Sequence, residues 1–413
     1  MPAWSDYSTG ERIKILRGKI SQEKLATLTG LSIATIQAAE QDKRRTLPTL
    51  MRISAALGTD ISVIEGQQPP RRAMEQDDRM MVRSLSGSVH DSAAGILPPG
   101  AEPASIADLR RMVDQCWALY WKGRYTEAGV TATPLLATAM ATLHAQPTGR
   151  QSIVWTVISD VYRIAAYVSN LTGVRDLAYA AIGHARIAAE RGADPVRLAL
   201  VDSGRAWVYM RDARLDDAVR LAEKAATDIE PRWSTATTDE LVVYGAHINF
   251  AAVVASRKGD KDLAATYLSQ SNGVGARMEH EHRAYGTLFG PVTATTQAVG
   301  INVALGSSGK ALTLIQSLDE GKLGQLSGAA RSRYGLDKAM AEADAKMWDT
   351  SLDTLESTLR GAPEWARHQT LPSVIAEKVG RQSTHRLTRV SRLIGIRTPV
   401  DPGFAAADRT TSL

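Results

Sequence analysis

The stretch Ser21–Arg45, SQEKLATLTGLSIATIQAAEQDKRR, decides how this chain is read. Ser21 has the side-chain oxygen that caps a helix start, and Leu25, Ala26 and Leu28 follow on one face with Glu23 and Lys24 outside. Thr29-Gly30-Leu31 interrupts that helix, because Gly30 supplies the positive φ of a sharp turn and Leu31 plugs the corner. Ser32 caps a second short helix whose Ile36 and Ala39 fall one turn apart on the buried side. Small Ala26 lets the two helices cross closely. Lys43-Arg44-Arg45 then follows as a cationic clamp suited to phosphates.

With its flanks, the stretch resembles the Cro/C1-type (XRE) helix-turn-helix family from about Arg12 to Ile64, which places a five-helix, lambda-repressor-like domain over residues 9–65. The residues that carry the resemblance are Ser21-Gln22, Leu25-Ala26, Gly30-Leu31-Ser32, Thr35-Ile36 and Glu40. Leu47-Pro48-Thr49-Leu50 resembles the start of the fourth helix, and Ile53, Ala56, Leu57, Ile61 and Ile64 resemble the remaining core. The resemblance implies that Gln22 touches the DNA backbone or a flanking base. It also implies that Ser32, Ile33, Ala34, Thr35, Gln37 and Ala38 face the major groove, while Lys43, Arg44 and Arg45 hold phosphates. Two features depart from the family. The connection Gly18-Lys19-Ile20 is short, and the reading face has no Arg or Lys, so the strongest guanine contact is missing.

At 413 residues the chain is too long for one such domain, and 44% hydrophobic content is enough for a sizeable core. The net charge of +5 permits nucleic-acid binding without demanding it. Its placement is more telling, since Arg12, Lys14, Arg17, Lys19, Lys24, Lys43, Arg44 and Arg45 crowd the first segment. The single cysteine, Cys116, excludes an internal disulfide and suits a reducing compartment. The start MPAWSDYSTGERIKI has no apolar signal core, and no apolar run approaches the roughly 20 residues of a membrane span. A cytoplasmic protein without membrane attachment is expected.

Residues 66–105 contain two proline pairs, several glycines and mixed charge, which reads as a linker with room for a short helix around Met74 to Leu85. From Ile106 a repeat begins. A small or apolar punctuating residue is followed five positions later by another: Gly123 and Ala128, Gly173 and Ala178, Ala213 and Ala218, Gly259 and Ala264, Gly306 and Ala311, and a degenerate Met347 and Leu352. Each marks the end of one helix, a tight turn, and a second helix whose early small residue allows close packing. The pattern is similar to that of tetratricopeptide (TPR) repeats, with Gly123, Tyr125 and Ala128 matching best, and gives a TPR-like helical-repeat region over residues 106–375. Spacings of 40 to 50 residues call for longer helices or insertions. The basic amphipathic segment 376–397, with Lys378, Arg381, Arg386, Arg389 and Arg392, is expected to be a capping helix.

An all-α chain with this layout resembles the RRNPP-type peptide receptors and the XRE-TPR regulators of actinobacteria. The resemblance implies a sequence-specific DNA-binding transcription regulator, with repression the preferred sign, acting as a homodimer on a double-stranded operator. Its repeats would dimerise and hold an effector, a signalling peptide or a small molecule. Positions ten, six and three residues before the punctuation line the groove of such repeats, which nominates Arg163, Tyr167, Asn170, Ser203, Trp207, Asn249 and Ser256 as ligand contacts. Asn amides suit a peptide backbone, Tyr and Trp stack, and Arg163 suits a carboxylate; as ordinary residues the aromatics would be core and the polar ones a solvated face. The alternative is a scaffold whose repeats hold a partner protein and whose first domain only localises it to DNA.

An enzyme is not expected, since no catalytic constellation stands out. Gly306-Ser-Ser-Gly309-Lys310 lacks P-loop spacing. The run Glu279-His280-Glu281-His282 reads as a charged turn, because neighbouring positions on a helix diverge and do not converge on a metal. No cofactor or metal is expected.

Overall fold

The chain divides into two compact units, residues 1–72 with 335–413 and residues 73–334. Its structure, a computed structural model, describes residues 4, 7–43, 46–57, 59, 61–66, 76–366, 368–380, 390 and 393. The first unit opens with α1 (Thr9–Arg17), α2 (Gln22–Thr29), α3 (Ile33–Glu40), α4 (Leu47–Ala56) and α5 (Ile61–Ile64). Each of the first four starts on a hydroxyl cap: Ser8, Ser21, Ser32 and Thr46 accept from the amides of Glu11, Lys24, Thr35 and Thr49. Gly30 ends α2 in the left-handed region at φ 64°, as the turn required. Ile13, Leu25, Ile36, Leu50, Ile53 and Ile64 form a core with no exposed surface. Leu28 does not join it. It sits on the outer side of α2, 51% exposed, because Thr29 and not Leu28 completes the buried stripe with Leu25 and Ala26.

In the second unit, residues 76–93 of the segment expected to be a linker form an 18-residue helix, α6 (Gln76–Ala93), which packs on α8. Met81, Leu85 and Val89 recur every four residues and are buried, while Ser88 donates to the Thr133 carbonyl at 2.8 Å. Glycine 129 receives the Met81 side chain; a Cβ there would lie 2.4 Å from its sulfur. The short helix that the sequence allowed around Met74 to Leu85 is thus present, starting at Gln76 and running on to Ala93.

The helix pairs of the repeat follow: α7 (Ile106–Trp121) with α8 (Tyr125–Ala145), α9 (Gln151–Leu171) with α10 (Arg175–Gly192), and α11 (Pro195–Arg211) with α12 (Leu215–Thr227). Next come α13 (Thr238–Lys258) with α14 (Lys261–Gly275), and α15 (Pro291–Ala304) with α16 (Ser308–Ser317). Every pair turns at its punctuating residue, Gly123, Gly173, Ala213, Gly259 or Gly306, each with positive φ. The partner alanines 128, 178, 218, 264 and 311 are wholly buried, so the second helix of each pair approaches the first without a side chain between. Helices of up to 21 residues explain part of the long spacing. A two-stranded antiparallel hairpin, β1 (His282–Ala284) and β2 (Thr287–Phe289), lies between α14 and α15 and explains more.

The chain then forms α17 (Gly328–Asp344), α18 (Trp348–Gly361), α19 (Pro363–Ala366) and α20 (Leu371–Gly380). The degenerate sixth turn has its positive φ at Lys346, one residue before Met347, and Leu352 is buried behind it. Lys378 of α20 pairs with Asp344. Of the expected capping segment, Arg381, Arg386, Arg389 and Arg392 lie outside the described residues, as do Arg44 and Arg45 of the clamp. Among the described residues, no helix is long and apolar enough to cross a membrane.

Candidate functional site

The turn between α2 and α3 presents α3 edge-on. Ile36, Ala39 and Glu40 are buried against the domain; Ser32, Ile33, Ala34 and Gln37 are exposed; Thr35 and Ala38 lie half-buried between them. This is the face nominated from sequence, and Ile33 keeps 42% of its surface open. Ser32 has two tasks: its oxygen accepts from Thr35 N–H at 3.1 Å and lies 2.8 Å from the Thr35 hydroxyl.

A chain of polar contacts sets the orientation of α3. Glu40, 2% exposed, accepts from Arg17 Nε at 2.6 Å and from the Gln22 amide at 2.6 Å, and the Gln37 amide donates to Gln22 Oε1 at 3.4 Å. A buried carboxylate needs this company, because an unpaired one is strongly disfavoured away from water. At the other side, Gly10 lets α1 touch α3: a Cβ there would sit 2.4 Å from the Glu40 carbonyl oxygen. Asp42 accepts from Ser8 Oγ at 2.6 Å and from Gly10 N–H at 2.7 Å.

Two of the basic residues that crowd this segment are therefore structural. Arg17 serves Glu40, and Arg12, 2% exposed, donates to the carbonyls of Trp4 and Ile64. Lys14, Lys19, Lys24 and Lys43 stay exposed.

Residues 12–64 match the helix-turn-helix family HTH_3. The N-terminal domain is thus an XRE-type helix-turn-helix domain, and DNA binding follows from that assignment. No curated protein sequence matches the chain. Among solved structures, 55% of the chain aligns with 88% of BtubC (BKLC) from P. vanneervenii, at 17% identity and a TM-score of 0.37.

Apart from the helix-turn-helix domain, the first helices of the repeat pairs gather aromatic and charged side chains. Tyr167 of α9 lies 5.2 Å from Trp207 of α11 and 5.7 Å from Trp117 of α7, both edge to face. Gly204 makes room for the tyrosine, since a Cβ there would lie 2.8 Å from its ring. The Arg163 guanidinium stacks 4.8 Å over Trp117 and donates through Nη2 to the Tyr285 carbonyl at 2.6 Å. Asp160 lies 3.4 Å from the same Nη2, but its carboxylate is held by Arg197 at 3.0 Å, and Arg197 also pairs with Asp194. Arg163 Nε and Nη1 are buried without a hydrogen-bond partner, and so are both amide atoms of Asn170, about two turns further along the same side of α9.

The other nominated residues are not brought to this cluster. Asn249 Oδ1 accepts from Ser271 of α14 at 3.2 Å, and Ser256 donates to the Val253 carbonyl at 2.7 Å, so both satisfy the interior of their own pair. Ser203 is half-buried. Sequence reasoning passed over Trp117, Trp121, Asp160, Arg197 and Tyr285. The spacing rule that nominated Tyr167 and Trp207, applied to the first pair, points to Trp117 and Tyr120 as well. The charged run 279–282 has separate tasks: Glu281 caps α15 by accepting from Val292 and Thr293 N–H at 2.9 and 3.0 Å, while His282 lies 3.2 Å from Asp239.

Proposed function

We propose that this protein is a cytoplasmic, effector-responsive transcription regulator that binds an operator as a homodimer. The observation that carries the reading is the exposed face of α3, where Ser32, Ile33, Ala34 and Gln37 stand on a helix oriented by Arg17, Glu40 and Gln22. Gln37 suits an adenine edge and Ile33 and Ala34 suit thymine methyl groups, a readout that does without guanine-directed arginine. Lys43, with Arg44 and Arg45 after it, is placed by the sequence directly behind α3 as the phosphate contact. One such domain buries little DNA surface, so specific control calls for two linked copies on half-sites about 34 Å apart or a multiple of that.

The repeat region supplies a place for an effector. The cluster of Arg163, Tyr167 and Trp207 stands on consecutive pairs, so a molecule that contacts it differently in two packings of the pairs shifts their equilibrium. Repression is the preferred sign, because occupancy of an operator by a dimer needs no further contact with the transcription machinery. The test is selection of the full chain on random duplex DNA, followed by footprinting. Recovery of a two-fold site with half-sites one or two turns apart is the expected result. A chain that retains no sequence over bulk DNA, or protects a single half-site as a monomer, defeats the proposal.

A further inference from the structure

The turn that closes the hairpin is held against the preference of its own residues. Pairing of Ala284 with Thr287 leaves a two-residue loop, Tyr285-Gly286, with φ of 51° and 72°. Two left-handed residues in succession make a type I′ turn, whose first position favours Asn, Asp or Gly; a tyrosine Cβ is crowded there. Such a residue persists where its surroundings over-determine it.

Here the surroundings are the first helices of three consecutive pairs. The Tyr285 carbonyl accepts from Arg163 of α9 at 2.6 Å, and the next carbonyl, Gly286, accepts from Trp121 Nε1 of α7 at 3.2 Å. The Tyr285 ring lies 5.3 Å from the Arg197 guanidinium of α11. Gly286 backs closely onto the indole of Trp117, where a Cβ would lie 3.1 Å from the ring and from Arg163 Nη2. The tip is therefore held as a ligand is held, by two consecutive backbone carbonyls on fixed donors and one ring beside a cation. The stem is anchored elsewhere: Phe289 is wholly buried against Gly245 of α13, where a Cβ would lie 2.2 Å from its ring.

The receiving site is incompletely satisfied in this arrangement. Arg163 Nε and Nη1 are buried without a hydrogen-bond partner, and Asp160 Oδ1 has only its ion pair with Arg163 Nη2 at 3.4 Å, which a contact selected for stability alone would avoid. Charge also limits what else fits. Arg163 and Arg197 already face Asp160 and Asp194, and Asp114 lies close to Asp160, so an added carboxylate meets no unopposed cation. A neutral acceptor such as a peptide carbonyl suits the site better.

We propose that the hairpin tip, residues 284–287, is an internal ligand of the face formed by α7, α9 and α11, and that the effector acts by displacing it with peptide-like backbone carbonyls of its own. This rests on the reading of that face as the effector site. Displacement releases contacts to three pairs at once while the Phe289 stem stays on α13, so one small event is felt along the array.

The test uses the full chain and a fluorescently labelled cyclic octapeptide that reproduces His282–Phe289. In wild type the internal tip competes at an effective concentration of about a millimolar. The Gly286→Ala protein, with a Cβ driven toward Trp117 in a left-handed residue, unseats the tip and should bind the peptide about 100-fold more tightly than wild type. Adding Arg163→Ala to that protein should weaken binding about tenfold or more, as expected for a lost charge-assisted hydrogen bond. Equal affinity for wild type and Gly286→Ala overturns the proposal, and so does an absence of binding to a Gly286→Ala protein that melts like wild type. If Gly286→Ala does not fold, fluorine NMR of wild type carrying fluorotyrosine decides: excess peptide should move the Tyr285 resonance, which lies beside Arg197, to a solvent-exposed position and leave that of Tyr267 on α14 unchanged, and an unmoved Tyr285 resonance overturns the proposal. None of these measurements involves DNA, so failure of operator selection and failure of tip displacement are separate results.

Discussion

Both the helix-turn-helix domain and the face of the repeat array bury charge, and they treat it in opposite ways. Around Glu40, the guanidinium of Arg17 and the amide of Gln22 converge within 2.6 Å, and the network ends at Gln37 on the exposed face of α3. Around Arg163, two guanidinium nitrogens stay without partners, as does the whole Asn170 amide. A satisfied network in low dielectric is rigid and specifies one arrangement; an unsatisfied one holds its arrangement less firmly. The DNA-binding domain has the first kind, and the region proposed to change state has the second.

The comparison breaks most easily at Glu40. Glu40→Ala leaves Arg17 and Gln22 facing a buried void, and should lower the stability of the domain by about 3 kcal/mol in urea unfolding, with loss of sequence-specific binding. Retention of both would show that the network does not orient α3. Gln37→Ala should leave folding intact and shift preference at one base position by about 1–3 kcal/mol in a competition binding assay. Lys43→Ala should act on all sequences alike and lower the salt slope by about 0.9, a different signature from the same domain.

In the repeat array the sign should reverse. Asn170→Leu replaces an unpartnered buried amide with an apolar side chain of similar size, and should raise thermal stability, by about 1 kcal/mol. A clear loss of stability in a melting experiment would mean that the amide is satisfied, and would erase the contrast with Glu40.

The smallest effect is one of pH. His247 is buried with Nδ1 2.6 Å from the Val243 carbonyl; burial pushes its pKa below the ordinary 6.5, and nearby Arg163 pushes the same way. The unfolded chain then takes up a proton that the folded chain refuses. Stability is therefore full above about pH 6.5 and declines as pH falls through that value toward the lower folded pKa. His184, also lowered by burial and by His90, adds to the decline. His247→Gln should flatten the melting temperature against pH without abolishing the slope, and an unaltered slope would remove His247 from this account.

Much of the architecture was legible because it depends on neighbours in sequence. Ser21, Gly30 and Ser32 cap and break helices through their own backbone, and Gly123, Gly173 and Gly259 turn the chain where φ must be positive. The full length of α6 was harder to see, since Met81, Leu85 and Val89 stand among serines, of which Ser88 meets α8 at the Thr133 carbonyl and Ser92 meets α9 at the Tyr162 hydroxyl. Asn249 and Ser256 were nominated by the same spacing rule as Tyr167, but Ser271 on the second helix drew Asn249 into the pair.

The sequence by itself determined the helix-turn-helix domain, the pairing of helices and the exposed residues of α3, because capping, turn conformation and helical periodicity act over a few residues. Tertiary structure alone decided which cations of the first segment stay exposed. Arg12 and Arg17 look like Lys14 and Lys19 in sequence, but Ile64 and Glu40 claim the first two across 52 and 23 residues. It alone placed Tyr285 against Arg163, 122 positions apart, since only packing brings a short hairpin onto the helices of distant repeats. Local rules choose the elements; which polar groups meet is settled by desolvation and partner geometry once those elements pack.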